Sequence, residues 1–246
     1  MGGNYSVSGS ASNYVHVYKT QDLCATDQLP STSWLLGLLG DTASFAKVKG
    51  VIINELRIAM TNAGWLEVSG TAFTDGTFTL DPSYTFPTTQ STGDVILGSQ
   101  SDFLTANFAG SLVSKATKFR KFTLTIGSGL DLADGRSNTA TAGKYLSSLR
   151  TAKRTIGLEI EVEGHQGDEF WTDWLAETVK DVQITVTKSS TRLLDIRTKT
   201  AKIQNAVPSF DGIRDVLTLT YKPFYTVADS SPIIITVKNG DAAYLL

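Results

Sequence analysis

Apolar and polar positions alternate along most of the chain. Residues 155–164 read TIGLEIEVEG, where Ile156, Leu158, Ile160 and Val162 alternate with Gly157, Glu159, Glu161 and Glu163. Successive strand side chains point to opposite faces. The segment therefore predicts a strand with one aliphatic row and, on its other face, three carboxylates about 7 Å apart. The same period runs through KFRKFTLTIG (118–127), where Phe122, Leu124 and Ile126 alternate with Lys121, Thr123 and Thr125. It recurs in DVQITVT (181–187), RLLDIRT (192–198), AKIQNAV (201–207), VLTLTYKPF (216–224) and PIIITVK (232–238). VKGVIINELRIAM (48–60) and WLEVS (65–69) read as a hairpin across NAG at 62–64, and KSST at 188–191 closes another.

Helical spacing occurs in two places. STSWLLGLL (31–39) predicts a short helix capped by Ser31 or Thr32. DEFWTDWLAETV (168–179) predicts a helix capped by Asp168, with Phe170, Trp171, Trp174 and Leu175 on the face that packs on the sheet. Asp168 and Glu169 sit where the helix dipole favours anions. Residues 70–100 and 127–145 are rich in Gly, Ser, Thr and Asp and read as long loops, a length that is usually functional or ordered by a partner. Residues 1–12 read as a mobile Gly/Ser-rich segment. The expectation is a mainly β fold: an antiparallel β-sandwich or barrel with one flanking α-helix and long loops.

Composition narrows the function. The chain has 246 residues, enough for a sizeable core. Its formal net charge is −2, which does not suit a protein that grips phosphates. The single cysteine, Cys24, excludes an internal disulfide and any cysteine-cluster metal site. The longest apolar run, Trp34 to Leu39, is too short to span a bilayer, and a soluble protein without membrane contact is expected. MGGNYS fits a loose myristoylation pattern of little weight.

Candidate chemistry is sparse. His16 and His165 lack metal-ligand spacing. No nucleophile elbow, phosphate loop or dinucleotide fingerprint can be read. Glu159, Glu161 and Glu163, with Asp168 and Glu169, could supply an acid/base pair of the glycosidase kind. Asp131, Asp134 and Asn138 form a looser oxygen-ligand set for Ca²⁺. Trp171 and Trp174 could stack on sugars, but their helical spacing with Phe170 and Leu175 favours packing. The expectation is no catalytic residue, no cofactor and no metal.

Several stretches together resemble a phage major tail tube protein. KFTLTIGSGL, the 131–145 loop, RTIGLEIEVEG, DEFWTDWLAET and the strands from DVQITVT to VLTLTYKPF follow that family's order of elements. VKGVIINELRI with GWLEVSG resembles its earlier strand pair, and LPSTSWLLGLLGD its pre-barrel segment. The resemblance covers roughly residues 30–225. It implies an N-terminal arm (1–30), a tail-tube-like β-barrel domain (31–225) and a C-terminal strand or arm (226–246). It implies a virion protein, not an enzyme, made in the host cytoplasm. Copies would form rings, typically hexameric, stacked into a tube that conveys double-stranded DNA without specific binding. The tape measure protein would lie in the lumen and other tail proteins at the tube ends. On this reading Glu159, Glu161 and Glu163 face the lumen as a negative collar. Two alternatives stay open: a carbohydrate-binding β-sandwich module, and a hydrolase built on the carboxylates.

Overall fold

Nearly all of the alternating segments pair as antiparallel strands. The computed structural model describes residues 3–9, 14–20, 32–37, 45–61, 64–74, 78–80, 103–108, 119–131, 150–151, 154–164, 168–189 and 191–239. The strands, in chain order, are β1 (Gly3–Gly9), β2 (Tyr14–Thr20), β3 (Thr32–Gly37), β4 (Phe45–Thr61) and β5 (Glu67–Phe73). They continue with β6 (Phe78–Leu80), β7 (Phe103–Phe108), β8 (Phe119–Gly127), β9 (Leu130–Asp131), β10 (Arg150–Thr151) and β11 (Thr155–Glu163). Helix α1 (Glu169–Leu175) precedes β12 (Val179–Ser189), β13 (Arg192–Phe210), β14 (Asp215–Pro223) and β15 (Ile234–Asn239).

Thirteen strands form one sheet, whose main path runs β1-β2-β15-β13-β14-β11-β8-β4-β3. It folds over at β13. The first half of β13 lies between β12 and β15, and its second half pairs with β14. Val182 and Ile184 of β12 thereby share a core with Phe122 and Leu124 of β8, Leu158 and Ile160 of β11, and Leu219 of β14. The result is sandwich-like and does not close into a barrel. Each fully buried large aliphatic contributes about 1.5–3 kcal/mol, so this shared interior dominates the stability.

Bulges make the fold-over possible. In β13 the core positions step by three twice, from Thr198 to Ala201 and from Ile203 to Ala206, and pairing shifts register at both places. An extra residue bends a strand and increases its twist. In β4, Asn54 forms a similar bulge against β5. The Ser128 amide donates to the Asn54 carbonyl at 2.7 Å and its hydroxyl to the same oxygen at 2.9 Å, so the bulge leaves no unpaired carbonyl there.

Several expectations change. Residues 32–37 form β3 against β4, not a helix. A helix of nine residues is marginal alone, and the ladder offered by β4 outweighs its propensity. The segment expected to be mobile contains β1, fully paired with β2, and β2 pairs with β15. β1 and β2 of the segment expected as an N-terminal arm therefore belong to the main sheet, beside β15 of the segment expected as a C-terminal strand or arm. The two strands expected at 192–198 and 201–207 are one strand of 19 residues. Part of the 70–100 loop belongs to β5 and β6, and β7 was not expected from the pattern. Residues 81–100 and 132–149 lie outside the described residues.

Candidate functional site

The carboxylate row of β11 lies between two strands that bring it cations. β8 and β14 flank β11, with Glu161 opposite Lys121 on one side and Thr218 on the other. Leu158, Ile160 and Val162 are buried and Ile156 packs partly against the same core, as alternation predicts. The three glutamates take the opposite face.

A bulge decides what they meet. Phe119 and Phe122 of β8 are both buried although three residues apart, and the β8–β11 register shifts between Glu161 and Val162. Arg120 and Lys121 therefore reach the same outward side. Lys121 Nζ donates to Glu161 Oε2 at 3.2 Å and lies 3.8 Å from Glu159 Oε1. Arg120 Nε lies 3.6 Å from Glu161 Oε1. Arg214, in the turn joining β13 to β14, pairs with Glu163. The face read from alternation as a row of three carboxylates is a ladder of ion pairs within one chain. Three cations from flanking elements answer its three anions, so it does not form an uncompensated negative collar.

Asp211 extends the ladder into the β13–β14 turn. Its Oδ2 accepts from Arg120 Nη1 at 2.5 Å, and its Oδ1 accepts the amides of Ile213 and Arg214 at 2.9 and 2.8 Å. The Arg120 hydrogen bond and these two amides hold its pKa down to about 2, against an ordinary 3.8. The Arg120 pKa is correspondingly raised, chiefly by its hydrogen bond to Asp211. Gly212, at φ +91°, supplies the left-handed residue that lets the chain reverse around the carboxylate.

The helix holds to the sheet through part of its predicted face. Phe170 is buried, and Trp171 and Trp174 are partly buried against the core. The two indoles meet edge to face with centroids 4.8 Å apart. That orientation makes a packing pair rather than an open stacking platform. Leu175 departs from the expectation: it is 67% exposed, because the helix ends there and the chain turns through Ala176 and Glu177 into β12. Asp168 is the N-cap residue but makes no side-chain cap hydrogen bond.

The remaining candidates are dispersed. His16 is buried in β2 and its Nε2 lies 3.1 Å from Asn239 Oδ1 of β15. His165, Cys24, Asp134 and Asn138 lie outside the described residues, and Asp131 pairs through its backbone with Arg150. No group of three or more potential metal ligands occurs among the described residues.

Compared with known protein families and with curated proteins, the sequence matches none.

Arg120, Lys121, Asp211 and Arg214 were not singled out from the sequence. A signal for the first two existed: FRKF interrupts the two-residue period with a three-residue step, which is the mark of a bulge. Asp211 and Arg214 carried no comparable signal, since the turn joins the ladder only through the register of β13 and β14.

The sheet edge at β5 is the second feature of note. Among the described residues β5 pairs with β4 alone, and its residues 67–72 are exposed on both faces. Trp65 and Val68 stand largely in solvent beside it. An unpaired edge of this length presents a row of amides and carbonyls to any further strand.

Proposed function

We propose that the chain is a self-assembling structural subunit, the tail tube protein of a long-tailed phage. Its copies join into rings, expected to be hexameric, that stack into a tube through which double-stranded DNA leaves the virion. The tape measure protein would occupy the lumen before ejection, and other tail proteins would bind the tube ends.

The observation that carries this reading is β5. A strand exposed on both faces adds little to its own core, and among the described residues its outer ladder is open. Pairing with a neighbouring copy would satisfy that ladder and extend the sheet around a ring. The ion-paired face of β11 is compatible with a channel wall. A face of paired charges with no surplus of cations neither grips phosphates nor leaves bare carboxylates to repel one another.

Negative-stain electron microscopy and analytical ultracentrifugation of the concentrated full chain test the proposal. Rings or tubes are the expected result. A chain that stays monomeric across polymerising salt and concentration ranges while binding a glycan would replace it with the carbohydrate-binding alternative, which the exposed rings of Trp65 and Tyr225 favour.

A further inference from the structure

The two ends of β14 present surfaces that complement each other and cannot meet within one chain. At its start, the turn after β13 projects Ile213, 83% exposed, beside exposed Phe210 and Asp215. The turn is rigidly built: Asp211 clasps two of its amides and Arg120, and the Asp211 amide donates to the Arg214 carbonyl at 3.2 Å. An apolar tip held in one conformation loses little entropy on docking. Arg120, Lys121 and Arg214 are matched by the ladder carboxylates and Asp211. These three cations face four carboxylates, and Asp215 has no cation partner among the described residues, so the tip is apolar with surplus negative charge.

At its other end, β14 runs into an exposed corner where Val227, 86% exposed, stands beside Tyr225 and Lys222. This turn is also pinned. Asp229 accepts from Lys199 Nζ at 2.8 Å and from Thr226 Oγ1 at 3.1 Å, and Thr226 bridges to Ser231. The Lys199 hydrogen bond, followed by that of Thr226, holds the Asp229 pKa below the ordinary carboxylate range. Lys222 rests 6.0 Å from the Phe224 ring and has no carboxylate partner among the described residues. The corner is apolar with one surplus positive charge.

We propose that a second copy of this chain docks its β13–β14 tip onto this corner, Ile213 and Phe210 against Tyr225 and Val227, with Asp215 facing Lys222. The contact joins unlike surfaces, so it repeats from copy to copy rather than closing as a two-fold dimer. The nine residues of β14 separate the two surfaces by about 30 Å, which sets the axial step. This rests on the tube reading only in assigning the contact to the stacking of rings.

Disulfide trapping tests it in the full chain with Cys24→Ser as background. Ile213→Cys and Val227→Cys variants are mixed and mildly oxidised, and the same samples are examined by electron microscopy. A crosslink in the mixture that neither variant gives alone supports the contact. Such crosslinks without rings or tubes would keep the head-to-tail contact and sink the tube reading. Rings or tubes without the crosslink would overturn the contact and leave the tube reading standing. Absence of both overturns both. Charge reversal gives an independent readout. Asp215→Lys or Lys222→Asp should each cut sedimenting polymer about tenfold, and the double reversal should restore it. Single reversals that polymerise like the parent would also overturn the contact.

Discussion

Lys121 and Glu161 face each other on adjacent strands, with Nζ 3.2 Å from Oε2, and both remain partly open to water at 37% and 22% side-chain exposure. Pairs in that setting contribute little, about 0–1 kcal/mol, because solvent screens them. Lys121 also keeps Glu159 within 3.8 Å, and Arg120 keeps Asp211. Glu161→Gln should therefore cost no more than about 1 kcal/mol in urea unfolding. A double-mutant cycle with Lys121→Met should return a coupling of similar size. A loss above about 3 kcal/mol would mean that the pair behaves as a buried one.

Balance across the ladder, rather than the acidity of β11, is what should keep the protein off DNA. Replacing Glu159, Glu161 and Glu163 by Gln together leaves Lys121 and Arg214 without their carboxylates, in a chain whose net charge is only −2. The triple variant should bind duplex DNA in fluorescence anisotropy at about 50 mM salt and release it as salt rises, since each phosphate contact contributes a slope near about −0.9. The parent chain should show no comparable binding. Equal binding by both would remove any role for charge balance on this face.

Acid should loosen the β13–β14 turn at an unusually low pH. The folded pKa of Asp211, about 2, lies below its ordinary 3.8. Its contribution is then complete above about pH 3.8 and disappears as pH falls through about 2. The carboxyl carbon resonance of Asp211 should titrate with a midpoint near 2, and the amides of Ile213 and Arg214 should follow it. Arg120→Met should move that midpoint upward. A midpoint that stays near 3.8 in the parent would show that the turn is not clasped as described.

How far the fold could be read from the sequence depended on period. Where apolar residues alternated without interruption, as in 155–163 and 217–221, both the strand and its core face were legible, because alternation alone decides which side chains go inside. Where the period slipped, as at Phe119–Phe122 or Ile203–Ala206, the strand was legible and its neighbours were not. Which cation meets Glu161 depends on a bulge in a partner strand. The end of the helix escaped for a related reason: Leu175 fits the apolar spacing, yet the helix is only two turns long and stops at that residue. The 32–37 strand was illegible because its ladder lies wholly in β4, outside any window that local pattern can see. The lone β5 edge was equally hidden. WLEVS showed a strand, but nothing in it told that β4 is its one partner among the described residues.

Two glycines separate that edge from the core in a way that can be measured. A Cβ on Gly157, in the outward row of β11, would meet nothing within 4 Å, and its backbone is ordinary strand. Gly157→Ala should be neutral or stabilising by up to about 1 kcal/mol, since it reduces the freedom of the unfolded chain without cost to the folded one. A Cβ on Gly70 would sit 2.3 Å from the Glu55 carbonyl oxygen, in the β4 bulge region where β5 pairs. Backbone cannot yield as a side-chain end can, so Gly70→Ala should push β5 away from β4. Because β5 covers little of the core, the global unfolding midpoint should fall only modestly. Hydrogen exchange at residues 67–73 should quicken instead, and ring or tube formation should fail. If Gly70→Ala frees the β5 amides but leaves assembly intact, β5 is not the edge by which copies join, and the observation on which the proposed function rests is withdrawn.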